Sequence, residues 1–131
     1  KHSGQFKELM DLFPALSEKL TAKASTLSGG QRQMLALAMA LAKKPSILLM
    51  DEPSAGLSPK VAEEVLTFTK SLTKQQVTIL LVEQNVKQAL AVADHCYILA
   101  EGRNQLDDTA KRLTGNPFIS EIFMGSKRVT S

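Results

Sequence analysis

Two short strings in this sequence carry residue types that could handle an anionic ligand and cleave a bond in it. The first is Leu27-Ser28-Gly29-Gly30-Gln31-Arg32-Gln33. Its paired glycines let a backbone come close to a ligand and leave amide N–H groups free. They open an apolar-periodic stretch, which places them at a helix N-terminus, where the dipole favours an anion. Ser28 adds a hydroxyl donor. Together these make an anion-binding cap suited to a terminal phosphate. Standing alone, the string would read better as a Gly-rich helix start with no ligand. The second string is Ile47-Leu48-Leu49-Met50-Asp51-Glu52-Pro53. A carboxylate at the end of a buried parallel strand lies at a sheet's ligand-binding edge. There Asp51 can bind Mg²⁺, directly or through water, and Glu52 can orient or deprotonate an attacking water. Two acids at a strand end are common; their order and spacing after the first string set this pair apart.

Those residues need elements to hold them. Residues 5 to 13 have Phe6, Leu9, Met10 and Phe13 spaced for one helical face, ended or kinked by Pro14. A short helical stretch follows around Leu16 to Leu20, then a polar connection over residues 21 to 30. A helix from Gly29-Gly30 carries Met34, Leu35, Ala38, Leu41 and Ala42 on one stripe and stops at Pro45. Ile47 to Met50 is a continuous apolar run, as expected of a strand buried on both faces of a parallel sheet. Ser54 to Pro59 is turn-rich, and Pro59 suits the first turn of a helix running to about Leu72. Thr78 to Val82 is a second buried strand, Asn85 to Ala93 a helix, and Tyr97 to Leu99 a third strand. Glu101-Gly102-Arg103-Asn104 signals a hairpin turn. Residues 108 to 124 read as two short helices broken at Gly115-Asn116-Pro117. Strands alternating with helices indicate an α/β fold with a parallel sheet.

The bulk numbers narrow the class. A chain of 131 residues suits one domain, and 44% apolar with 22% charged residues is an ordinary soluble balance. The net charge of +3 comes from Lys and Arg scattered along the chain, which leaves no nucleic-acid footprint. The longest apolar run, Met34 to Ala42, is half a membrane span, and no apolar segment follows Lys1-His2-Ser3-Gly4. The single cysteine, Cys96, lies in an apolar run and reads as a small strand residue, not a reactive thiol. His95 and His2 read as surface or structural residues, not ligands.

The two strings, followed by Ser54-Ala55-Gly56-Leu57-Ser58 and then Thr78-Ile79-Leu80-Leu81-Val82-Glu83-Gln84, resemble the second half of an ATP-binding cassette (ABC) ATPase, from about Leu9 to Gly125. The resemblance implies a P-loop NTPase-type α/β sheet with flanking helices. Residues 1–45 would be the rest of a helical subdomain, 46–106 the catalytic core and 107–131 C-terminal helices. It also implies ATP and Mg²⁺ as cofactors. Ser28, Gly29, Gly30 and Gln31 would contact the γ-phosphate of ATP on the opposite subunit. Asp51 would serve Mg²⁺, Glu52 would be the catalytic base, and residues 54–58 would cross the dimer interface.

Two positions depart from the family pattern. Ser58 stands where that loop usually has Asp, and Gln84 stands where the switch residue is usually His. A Gln amide can hydrogen-bond a phosphate or a water but cannot carry a charge near neutral pH. The string LLVEQN, Ala93-Asp94, Tyr97-Ile98-Leu99-Ala100-Glu101-Gly102, Leu12-Phe13-Pro14 and Phe123-Met124-Gly125 look like ATPase subunits of branched-chain amino-acid importers. Urea and amide importers share much of this pattern. The implied partners are a second ATPase subunit, membrane permease subunits and, indirectly, a periplasmic or extracellular solute-binding protein, with no nucleic acid. The implied location is peripheral, on the cytoplasmic face of the membrane.

A P-loop, Gly-x-x-x-x-Gly-Lys-Ser/Thr, occurs nowhere in these residues, and Gly4 is the sole glycine before the signature. The chain is therefore expected to be part of a cassette: a fragment, or a natural half that needs a P-loop chain. Alone it is expected not to hydrolyse ATP and to associate through unpaired strand edges. A non-catalytic module that completes a partner's nucleotide site is the alternative. A cassette acting on DNA or ribosomes is disfavoured by the lack of coiled coils and of a basic stripe.

Overall fold

A computed structural model describes residues 2–119, and the chain divides into two compact units, Lys1–Gln84 and Asn85–Ser131. In the first unit, helix α1 spans His2–Asp11 and α2 spans Pro14–Ser17. Pro14 does not simply end a helix. It sits in the first turn of α2, where its missing N–H costs nothing, and α2 stops short of the Leu20 expected from sequence. Helix α3 spans Gly29–Leu41, and Lys44 then turns left-handed (φ 49°) ahead of Pro45, which excludes further helix. Helix α4 spans Pro59–Leu72, again with proline in its first turn.

Strands β1 (Ile47–Asp51) and β2 (Thr78–Val82) pair in parallel, Ile47 opposite Thr78 and Asp51 opposite Val82. One face of this pair packs into a core of Phe13, Leu16, Leu27, Leu37, Ala38, Leu41, Leu48, Met50 and Leu72, with the Phe13 and Phe68 rings 4.8 Å apart. The other face is open. Ile47, Leu49, Leu80 and Val82 are 57%, 70%, 57% and 54% exposed. The expectation of strands buried on both faces is thus corrected. The side chains do alternate between faces, but within this unit only the face toward the core helices is covered.

In the second unit, helix α5 (Val86–Val92) leads to β3 (His95–Ala100), β4 (Arg103–Thr109) and helix α6 (Ala110–Leu113). The third strand does not join a parallel sheet, as expected from sequence. It pairs antiparallel with β4, with an irregularity in register between Ile98 and Leu99. The cause is the Glu101-Gly102 turn, whose φ values of 51° and 72° fold the chain straight back. β4 was not legible because Arg103-Asn104-Gln105-Leu106-Asp107-Asp108-Thr109 holds a single large apolar residue. It runs to Thr109, so the expected helix at 108 begins later, where Thr109 caps α6. A second turn of helix starts at Pro117 as expected; residues 120–124 lie outside the described part. Ile98, Leu113 and Ile119 form this unit's core. Cys96 is half-buried, and burial pushes its thiol pKa up, as suits a structural thiol. His95 bonds Asp107 through Nε2 at the surface, and the side chain of His2 lies outside the described part.

Candidate functional site

The Ser28–Gln31 cap is built from its own sequence. Ser28 is the N-cap of α3: its Oγ accepts the Gln31 N–H at 3.2 Å, and the Gln31 Oε1 accepts the Ser28 N–H at 3.0 Å. This reciprocal capping box fixes the first turn. The Ser28 hydroxyl proton and the Gln31 side-chain N–H groups stay free to donate, and no acidic residue lies in the first turn to repel an anion. Arg32 Nη1 donates to the Leu27 carbonyl at 2.6 Å, tying the helix start to the buried Leu27.

The glycines serve a purpose that sequence reasoning missed. A Cβ on Gly30 would lie 2.5 Å from Val61 Cγ1 of α4, and one on Gly29 would lie 3.0 Å from Leu57 Cδ2. A side chain at Gly30 therefore forces Val61 to shift, and one at Gly29 would be tight against Leu57, apart from any ligand. A small-residue requirement was legible in the string; its partners, far along the chain, were not.

The second site lies where the β1–β2 ladder ends. Glu52 N–H donates to the Val82 carbonyl at 2.8 Å, one step beyond the last paired residues. Glu52 holds a left-handed backbone, φ 45°, which a residue bearing a Cβ seldom adopts. Its carbonyl accepts the Ala55 N–H at 3.0 Å, and its Oε1 accepts from Gln84 Nε2 at 2.6 Å. Three hydrogen bonds thus hold one strained residue. The Asp51 carboxylate, beside it, is exposed and has no hydrogen-bonding or ion-pair partner among the described residues. One free carboxylate suits Mg²⁺, which takes one or two protein carboxylates plus waters and phosphate oxygens. No cluster of three metal-ligating side chains occurs among the described residues.

The loop from Ser54 to Ser58 follows directly. Pro53 is buried, Leu57 N–H donates to the Ser54 carbonyl at 3.2 Å, and Gly56 turns left-handed at φ 72°. Ala55, Gly56 and Ser58 are exposed. Ser54 is held by Glu83, a residue sequence reasoning passed over. The Glu83 carboxylate accepts the Ser54 N–H at 3.1 Å and the Ser54 hydroxyl at 2.8 Å. The structure therefore brings Glu52 and Gln84 into contact, ties Ser54 beside them, and lays Leu57 against Gly29. A groove of about 470 Å³ lined by Leu9, Leu12, Leu41, Pro45 and Val77 sits at the opposite ends of the strands, away from these residues.

Residues 2–55 match the family model described as ABC transporter. The high-affinity branched-chain amino acid transport ATP-binding protein BraG of Pseudomonas aeruginosa is 42% identical over 92% of this chain and 52% of its own length. The probable branched-chain amino acid transport ATP-binding protein LivF of Archaeoglobus fulgidus is 45% identical over 88% of this chain and 50% of its own. The chain thus spans about half the length of these curated relatives. Among solved structures, MJ1267, an ATP-binding cassette of an ABC transporter, superposes with a TM-score of 0.79 at 29% identity, over 91% of this chain and 48% of that one.

Proposed function

We propose, from the premise that residues 2–55 match the ABC transporter family and that the chain has the fold of an ATP-binding cassette, that it is part of the ATP-hydrolysing subunit of an importer for branched-chain amino acids. The substrate class rests on the names borne by BraG and LivF. Ser28, Gly29, Gly30 and Gln31 take the γ-phosphate of ATP held by a second subunit, through the free donors of the α3 cap. Glu52 takes the proton of the attacking water, and Gln84 aims its carboxylate. Asp51 holds Mg²⁺, which when bound neutralises charge on the phosphates. Residues 54–58 face the second subunit. The subunit docks on membrane permease subunits, fed by a solute-binding protein, at the cytoplasmic face. No helix among the described residues is long and apolar enough to cross a membrane, which is compatible with a peripheral placement.

The observation that carries this reading is the 2.6 Å bond from Gln84 to Glu52, on a backbone held in an unfavourable conformation beside the unpartnered Asp51 carboxylate. Strain kept at one carboxylate points to use rather than to packing. The deciding experiment is Glu52→Gln in the full-length gene product with its permease. Turnover should fall by a factor of about 10² to 10⁴, the usual contribution of a general base, while ATP binding persists. Undiminished hydrolysis would remove Glu52 from the role. Uptake by proteoliposomes should be competed by leucine, isoleucine and valine, and not by urea or amides.

These 131 residues contain no P-loop string, so the isolated 131-residue polypeptide should not bind Mg-ATP tightly. Calorimetric titration showing micromolar binding would contradict that.

A further inference from the structure

Two neighbouring side chains at the end of β2 grip two residues flanking Pro53. Gln84 Nε2 donates to Glu52 Oε1 at 2.6 Å, and Glu83 receives both the N–H and the hydroxyl of Ser54, at 3.1 and 2.8 Å. The parallel ladder has ended at Glu52, so no further backbone pairing holds the chains together here. The bracket takes over from the ladder. We propose that Glu83 is a positioning residue: its two-oxygen grip on Ser54 sets the loop Ser54–Ser58 and, through it, both Glu52 and the start of α3. This rests on the ATPase reading above.

The geometry gives three reasons. First, both oxygens of one carboxylate are used on one residue. That fixes direction as well as distance, and bonds to an ionised acceptor are the strong kind. Second, Ser54 is the anchor of the loop, since its own carbonyl takes the Leu57 N–H at 3.2 Å. Third, Leu57 is the residue against which Gly29 packs: a Cβ there would lie 3.0 Å from Leu57 Cδ2. A path of direct contacts therefore runs from Glu83 through Ser54 and Leu57 to Gly29. A second, one residue along, runs from Gln84 to Glu52. The dipeptide Glu83-Gln84 holds the carboxylate that acts on this subunit's own ATP. It also holds the loop that abuts the cap meant for the other subunit's ATP. Both Glu83 oxygens are taken by Ser54, so its influence should appear in turnover and not in nucleotide affinity.

The test uses the full-length gene product with three changes, Glu83→Ala, Glu83→Gln and Ser54→Ala, and two readouts. Amide exchange at Ser54, followed by NMR, reads the grip itself. Steady-state ATPase kinetics read its consequence. Glu83→Ala should speed Ser54 exchange about tenfold. It should lower kcat about tenfold with KM for ATP changed less than about twofold, the pattern of lost positioning. Glu83→Gln, which keeps one acceptor and can donate to the Ser54 hydroxyl, should recover most of kcat. Glu83→Ala with Ser54→Ala should be no slower than Glu83→Ala alone, because both remove one shared contact. If the unmodified protein hydrolyses ATP and Glu83→Ala matches its kcat, or if the two losses multiply, the proposal is overturned. A protein without ATPase activity would sink the ATPase reading instead. Exchange would then still decide: faster Ser54 exchange in Glu83→Ala supports the grip, and unchanged exchange overturns it.

Discussion

The cap at the start of α3 and the bracket at the end of the β1–β2 ladder are built on opposite plans. Every hydrogen bond that shapes the cap joins residues three to five apart, Ser28 to Gln31 and Arg32 to Leu27. The bonds of the bracket join residues 29 and 32 apart, Ser54 to Glu83 and Glu52 to Gln84. The cap would keep its internal geometry on any helix with this sequence. The bracket exists only once two strands have paired. Local construction gives a capped helix start, and long-range construction gives a strained carboxylate held in place by its neighbours. The contrast has one seam, where Gly29 and Gly30 lie against Leu57 and Val61. There the self-sufficient cap depends on the rest of the unit.

That seam is where the comparison is easiest to break. Gly30→Ala puts a methyl group 2.5 Å from Val61 Cγ1, and a β-branched side chain has few ways to yield. The change should destabilise the full-length gene product by about 1–3 kcal/mol, the usual cost of overpacking. Adding Val61→Ala should return a large part of the loss. Urea denaturation of the two single variants and the double variant measures the coupling directly. An additive double variant would mean that Gly30 is free of α4 and that the cap is as self-contained as its hydrogen bonds suggest.

The next test separates what the cap does for the helix from what it does for a ligand. Ser28→Ala should cost about 1 kcal/mol, because the Gln31 N–H loses its acceptor. Ser28→Asp restores the acceptor and should bring stability back within about 0.5 kcal/mol. It also sets a negative charge where the helix dipole would draw a phosphate. ATP-dependent dimerisation, followed by size-exclusion chromatography, should then fail in a protein that is otherwise stable. Dimerisation that survives Ser28→Asp would leave the cap a purely structural device.

The same contrast decides what could be read from the sequence. Ser28-Gly29-Gly30-Gln31 was legible as a helix start because a glycine pair ahead of an apolar stripe is local chemistry, though its capping box was not read. Asp51 and Glu52 were legible as acids ending an apolar run, and Gln84 through the family resemblance alone. Glu83 was not, because nothing in its neighbourhood says that Ser54 will lie across from it; register alone puts them together. Val61 and Leu57 were missed as partners of the glycines for the same reason. In the fold, the parallel β1–β2 pair followed from its apolar runs. The open face of that pair did not, since a run such as Ile47-Leu48-Leu49-Met50 looks the same whether one face or both are covered. β4 was invisible because a polar edge strand lacks the alternation that marks a half-buried one. The Glu101-Gly102 turn was the one local sign that a partner strand had to follow.

The smallest effect bears on the strain at Glu52. A left-handed backbone costs a residue with a Cβ roughly 1–2 kcal/mol, and Asn tolerates it better than Glu. Glu52→Asn should relieve part of that cost while shortening the side chain that Gln84 holds, an exposed hydrogen bond whose loss costs about 0.5 kcal/mol. The net gain should be near 0.5 kcal/mol. Glu52→Gln is the proper reference, since it also removes the carboxylate but keeps the length of Glu and has no special tolerance for φ of 45°. If Glu52→Asn unfolds at higher urea than Glu52→Gln, the left-handed turn is a cost the native residue bears for its chemistry. If it unfolds at lower urea, the three hydrogen bonds around Glu52 already absorb the strain. The bracket would then be as much at rest as the cap.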